Sequence, residues 1–143
     1  MHALQIAKQS QVESASSSVL DASVSELLVR LRARTLTSQA LVEAHIARTL
    51  EVNPRLNALV ADRFDAARRE AAAADAVYDS ADHTELPPLL GIPCSIKEFL
   101  ALQGMPQTGG VLYRKGVVAE TDSVVVSRIR QAGAVPLGVT NVP

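Results

Sequence analysis

Leu89-Leu90-Gly91-Ile92-Pro93-Cys94-Ser95-Ile96 is mostly apolar, and a second apolar run, Ala134-Val135-Pro136-Leu137-Gly138-Val139, follows further along the chain. Short apolar runs of this kind read as buried strands of a parallel sheet. Between them, Ser123 to Ala132 reads as a helix, with Asp122 placed to cap its start and Gly133 suited to the left-handed position that ends it. Strand, helix, strand in that order predicts a right-handed βαβ crossover with parallel strands. Pro136 conflicts with this reading, because proline removes a ladder donor; an edge position or a bulge would reconcile the two. Glu98 to Glu120, carrying Gly104, Pro106, Gly109, Gly110 and Gly116, reads as a long irregular segment. Loops of that length in compact domains are often functional.

Upstream of the polar linker from Asp79 to Pro88, the pattern changes to helices. Asp21 or Ser23 can cap a first helix carrying Val24, Leu27, Leu28 and Leu31 at helical spacing. Thr37 or Ser38 caps a second, lined by Leu41, Val42, His45, Ile46, Thr49 and Leu50, and Asn53-Pro54 should end it. Leu56 to Val60 is apolar and undecided between helix and strand. Asp62 can cap an alanine-rich third helix reaching about Tyr78. Its charged residues Arg63, Arg68, Arg69 and Glu70 read as a solvated face. The Gln- and Ser-rich residues 1–20 read as a disordered N-terminal segment. The expected organisation is that segment followed by one unit over 21–143, of α/β class: N-terminal helices, then a βαβ portion.

Composition narrows the function. The chain has 143 residues, is 48% hydrophobic and 20% charged, and carries a net charge of −1, which fits one globular unit with a modest core. Nothing in the charge points to nucleic acid or an anionic membrane. Two Phe, two Tyr and no Trp make base-stacking platforms unexpected. The single cysteine, Cys94, excludes an intrachain disulfide and a cysteine-rich zinc site, and reads as a small buried hydrophobe. No metal is expected, since His2, His45 and His83 lie far apart. Gly104 to Val111 has two glycines at phosphate-loop spacing, but Gly110 and Val111 stand where the lysine and the hydroxyl residue belong, so no nucleotide cofactor is expected. No apolar run approaches a membrane span, and the N-terminus lacks a signal-peptide core. A cytoplasmic location is the default.

Lys97 is the residue most open to a chemical role. It follows the first apolar strand, and strand ends in parallel sheets are where α/β proteins place ligands. Asn141 follows the second strand, so a βαβ crossover would bring the two out at the same edge. A charged lysine holds an anion; a desolvated, neutral one serves as a base. Ser95, two residues back, shares its strand face, although a satisfied core hydroxyl is the plainer reading of Ser95. Equally, Lys97 could simply mark a strand leaving the core.

Gly91-Ile92-Pro93-Cys94-Ser95-Ile96-Lys97-Glu98 resembles the strand that carries the catalytic lysine of amidase-signature enzymes. Gly104-Met105-Pro106 with Thr108-Gly109-Gly110 resembles the glycine-rich segment after it. Thr121 to Val126 with Arg128 resembles the next helix, and Ala132 to Asn141 the following strand. Leu36-Thr37-Ser38 and Asn53-Pro54-Arg55-Leu56-Asn57-Ala58 also fit, and the details are closest to the fatty-acid amide hydrolase-like branch. The resemblance covers roughly Val24 to the end. It implies an α/β/α sandwich around a large mixed sheet, of which this chain has an incomplete part. It also implies hydrolysis of the carbon–nitrogen bond of carboxylic amides by a Ser–cis-Ser–Lys triad.

In that scheme a neutral lysine is the base, a bridging serine relays the proton, and a second serine attacks the carbonyl. Lys97 is the only triad member that maps here, because the serine-rich segment of the family lies beyond the position of Asn141. Ser16, Ser17 and Ser18 stand in the wrong place to substitute. The expectation is an N-terminal, truncated portion of an amidase. It would be inactive alone, with a small-molecule amide substrate in the complete enzyme and a C-terminal complement as partner. Two alternatives stay open: a non-catalytic βαβ domain that binds a partner, and a small enzyme using Lys97 with local groups.

Overall fold

The computed structural model describes residues 19–80 and 85–142. The first helix, α1 (Val24–Arg32), starts at Ser23, whose hydroxyl accepts from the Glu26 N–H while the Glu26 carboxylate accepts from the Ser23 N–H at 2.8 Å. This reciprocal capping satisfies two amides that a helix start otherwise leaves open. The second, α2 (Ser38–Leu56), is capped by Thr37, which accepts from the Ala40 N–H. It does not stop at Asn53-Pro54 as the sequence predicts, but runs on to a left-handed Asn57. The reason is tertiary. The Asn53 side chain both accepts from the Leu59 N–H and donates to the Leu59 carbonyl, each at 2.8 Å, which holds Asn53 helical against the preference that proline imposes on its predecessor.

The undecided stretch resolves into β1 (Leu59–Asp62), which leads into α3 (Phe64–Asp79). After the linker come β2 (Pro93–Lys97), a 3-10 turn at Leu112–Arg114, α4 (Val124–Gln131) and β3 (Val135–Thr140). The sheet has three strands in the order β1-β3-β2, with β2 parallel and β1 antiparallel to β3. The βαβ unit is therefore present, in a mixed α/β fold.

β3 is the central strand, so Pro136 is not at an edge. A bulge accommodates it instead: Cys94 pairs with Pro136 but Ile96 pairs with Val139, which leaves one extra residue in β3. The bulge also sorts side chains between layers. Val135 and Leu137 pack with Val42 and Ile46 of α2 and Ala67 and Ala71 of α3. Val139 packs with Ile96, Leu102, Met105 and Val126. Gly138 lies within the bulge, where a Cβ would come 2.3 Å from the Ala61 carbonyl oxygen, so β1 can approach only a glycine there.

Three further expectations change. The N-cap of α4 is Ser123, not Asp122; Asp122 accepts instead from the Gln103 N–H at 2.8 Å and from Arg130 at 2.9 Å. Arg63 and Glu70 are not part of a solvated face. The Arg63 guanidinium grips both Glu70 oxygens, at 2.6 and 2.9 Å, and donates to the Pro136 carbonyl at 2.7 Å, beyond the end of β1. Of the segment read as disordered, residues 1–18 lie outside the described residues. Val19 and Leu20 are helical, and Val19 is only 5% exposed, packed in the core that holds Leu27, Leu31, Tyr78 and Leu90.

Tyr78 ties this core to the approach of β2, its buried hydroxyl donating to the Leu90 carbonyl at 3.0 Å. Removing the hydroxyl leaves a buried carbonyl without that donor. Tyr78→Phe is expected to cost about 1 kcal/mol, read as a lower urea midpoint at unchanged slope. An unmoved midpoint would show that the bond contributes nothing net.

Candidate active site

Lys97 closes β2 and pairs with Thr140, and the next residue, Glu98, donates its N–H to the Thr140 carbonyl at 3.1 Å. Asn141 follows at once and is pinned by its own N–H to the Ala58 carbonyl at 2.8 Å. The crossover thus brings Lys97 and Asn141 to the same end of the sheet. Lys97 is half-buried, and its side chain makes no hydrogen bond or ion pair to another described residue. Ser95 is exposed, so it is not a core hydroxyl; on a strand it shares the Lys97 face.

Glu98 is the functional-looking residue that sequence reading passed over. It is 3% exposed, one of three buried polar or charged side chains among the described residues, with Ser38 and Asp75. Its carboxylate accepts from the Thr108 N–H, from the Thr108 hydroxyl at 2.8 Å, and from the Gly109 N–H at 2.8 Å. Burial alone would raise this carboxyl. The three hydrogen bonds, with the Arg114 charge nearby, outweigh burial and hold it below the usual carboxylate range. The available signal was an acidic residue directly after an apolar strand, with Thr108-Gly109-Gly110 within loop reach; nothing local distinguishes that from an ordinary surface glutamate.

Cys94 is the other nucleophile on β2. Burial pushes its thiol up to about 11, against a smaller opposing pull from Arg63. At neutral pH only about one such thiol in ten thousand is ionised, so Cys94 is not an activated nucleophile. Iodoacetamide is expected to label the folded chain far more slowly at pH 7 than a free cysteine, and faster as pH rises toward 11. Rapid labelling at pH 7 would contradict the burial argument.

His45, half-buried on α2, has its imidazole held below the ordinary value by burial. His2 and His83 lie outside the described residues. Among the described residues no group of three His, Cys, Asp or Glu side chains could hold a metal ion, and no helix is long and apolar enough to cross a membrane. Surface clefts lie along α1, lined by Ala22, Glu26 and Val29; between α2 and β1, lined by Asn53, Asn57 and Asp62; and between α3 and α4, lined by Glu70 and Arg130. Lys97 lines none of these three. It stands at the open end of the sheet.

Residues 40–143 match the family model of amidases. Fatty-acid amide hydrolase 2-A of Danio rerio is 44% identical over 124 residues, which is 83% of this chain and 23% of the relative. Indoleacetamide hydrolase of Bradyrhizobium diazoefficiens is 40% identical over 113 residues, 79% of this chain and 21% of the relative. Among solved structures, native peptide amidase from Stenotrophomonas maltophilia superposes with a TM-score of 0.75 at 34% identity, over 85% of this chain and 25% of that one. The chain spans about a quarter of the length of the curated relatives it matches. It belongs to the amidase family, the amidase-signature hydrolases.

Proposed function

We propose that this chain carries the lysine of an active site that hydrolyses the carbon–nitrogen bond of carboxylic amides, with Lys97 as the base. The observation that carries the reading is the placement of Lys97 at the carboxyl end of β2, opposite Thr140 and beside Asn141, in a chain of the amidase family. The two serines of the scheme come from the serine-bearing portion that follows the Asn141 position in the family, so this chain alone is inactive.

The chemistry balances without a cofactor. The nucleophilic serine oxygen bonds to the amide carbonyl carbon as its proton passes through the bridging serine to Lys97 Nζ. The carbon–nitrogen bond then breaks, and the amine leaves with a proton returned along the same path. Water releases the acid from the resulting ester by the reverse relay. Splitting one difficult displacement into two acyl transfers is the gain from a covalent intermediate. Backbone N–H groups around the oxyanion supply the remaining stabilisation.

The relatives' names point to amides of apolar acids as first substrates to try. The test offers a long-chain primary fatty amide, indole-3-acetamide and acetamide to this chain alone and to the chain extended by the serine-bearing portion, and measures ammonia release. Turnover by the extended polypeptide only is the expected result. Turnover by the chain alone would replace this reading with a small enzyme using local groups. No turnover by either, from a monomeric chain that unfolds cooperatively, would favour the non-catalytic βαβ domain.

A further inference from the structure

We propose that Glu98 is a positioning residue, a buried carboxylate that ties the tip of the glycine-rich loop to the sheet end from which Lys97 projects. The proposal rests on the amidase reading above and assigns a role to a residue beside the base.

The loop from 99 to 120 starts from buried Leu102 and Met105 and from the Gln103 N–H on Asp122. Its base is closed by a short ladder: Gly104 N–H to the Ala119 carbonyl at 2.9 Å, Ala119 N–H to the Met105 carbonyl at 2.9 Å, and Gln107 N–H to the Val117 carbonyl at 3.0 Å. The tip turns through Gly109 (φ +62°) and Gly110 (φ +73°) into the 3-10 turn, where Leu112 and Tyr113 stand 85% and 88% exposed. A tip this exposed has little apolar packing to hold it. What fixes its near side is Glu98, which takes the Thr108 hydroxyl and the Thr108 and Gly109 N–H groups.

Glu98 is well placed for this work. Its own N–H is bonded to Thr140, so its backbone belongs to the joined ends of β2 and β3. Its side chain meets Thr108 and Gly109 of the loop and makes no ion pair with Lys97, so it does not neutralise the lysine. No described cation forms an ion pair with it; three donors from one loop turn satisfy it. A buried carboxylate held only by such donors loses its stabilisation if they move away, so the loop and the sheet end move as one body. The group that must meet Lys97 within hydrogen-bond reach then approaches a surface whose shape Glu98 sets.

The test uses the complete amidase containing this chain, in three forms: Glu98→Gln, Thr108→Ala and Lys97→Ala. Glu98→Gln is expected to lower kcat about a hundredfold with KM little changed, the signature of misplacement rather than lost binding. Amide hydrogen exchange over 108–116 should quicken about tenfold or more, while 38–79 stays at the wild-type rate. Thr108→Ala, which removes one of the three bonds and threatens folding less, should shift both readouts in the same direction by less. Unchanged kcat in either variant, or faster exchange throughout the chain, overturns the positioning role. Full activity of Lys97→Ala instead overturns the amidase reading itself and the kinetic half of the proposal with it; the exchange measurement still decides the tether.

Discussion

Lys97→Ala in the complete enzyme is expected to lower kcat/KM for amide hydrolysis by about a thousandfold or more, the loss typical of removing a group that acts as part of a catalytic unit. The fold should not register the change. Lys97 sits half-buried at a strand end, its side chain without a hydrogen bond or ion pair to a described residue, so its truncation should move stability by no more than about 0.5 kcal/mol. Lys97→Arg separates two meanings of the result. If the lysine only holds an anion, arginine preserves the charge and much of the rate. If it takes a proton, arginine fails as badly as alanine, because a guanidinium does not give up its proton in a protein. The expected outcome is that both variants fail. An active Lys97→Arg enzyme would remove the base role while leaving a binding role.

What the sequence disclosed followed the range of the forces involved. Ser23 and Thr37 were each readable as one of two cap candidates because each bonds within its own first turn. Gly133 was readable for the same reason. β1 was not, since its four residues pair only with β3, far along the chain. Asp122 was misassigned by one residue because its carboxylate is engaged by Gln103 and Arg130, leaving the cap to Ser123. Arg63 looked solvated because helical periodicity cannot register the Pro136 carbonyl that it reaches across the fold. The site divided in the same way. The place of Lys97 at a strand end was legible because a charge closing an apolar run is a local anomaly. Glu98 was not, since its meaning depends on where Thr108 and Gly109 return. The bulge in β3 was foreseeable only as a condition on Pro136.

The largest stability effect should come from Asp75, a residue with no part in the chemistry. Both its oxygens accept backbone amides at the start of α2: Ser38 N–H at 2.7 Å and Gln39 N–H at 3.0 Å. With Ala40 N–H on the Thr37 hydroxyl and Leu41 N–H on the Thr37 carbonyl, every amide of that first turn is satisfied, two of them by a side chain from α3. The negative charge also stands at the positive end of a helix that runs from Ser38 to Leu56. Asp75 is 5% exposed and Ser38 fully buried, so water cannot replace the lost acceptor at Ser38. Asp75→Ala should therefore cost about 3–4 kcal/mol, from two charge-assisted bonds and a buried amide left open. The Arg34 pairs do not account for this. Arg34 reaches Asp75 through one contact at 3.3 Å from a side chain 30% exposed, and its other partner, Asp79, is 66% exposed, so water screens the guanidinium and these pairs contribute about 1 kcal/mol. Arg34→Ala is accordingly the control, expected to lower stability by about 1 kcal/mol where Asp75→Ala lowers it three times as much. Asp75→Asn keeps one carbonyl oxygen and should fall between them. If urea unfolding gave Asp75→Ala and Arg34→Ala the same loss, the ion pair and not the helix start would be what Asp75 holds.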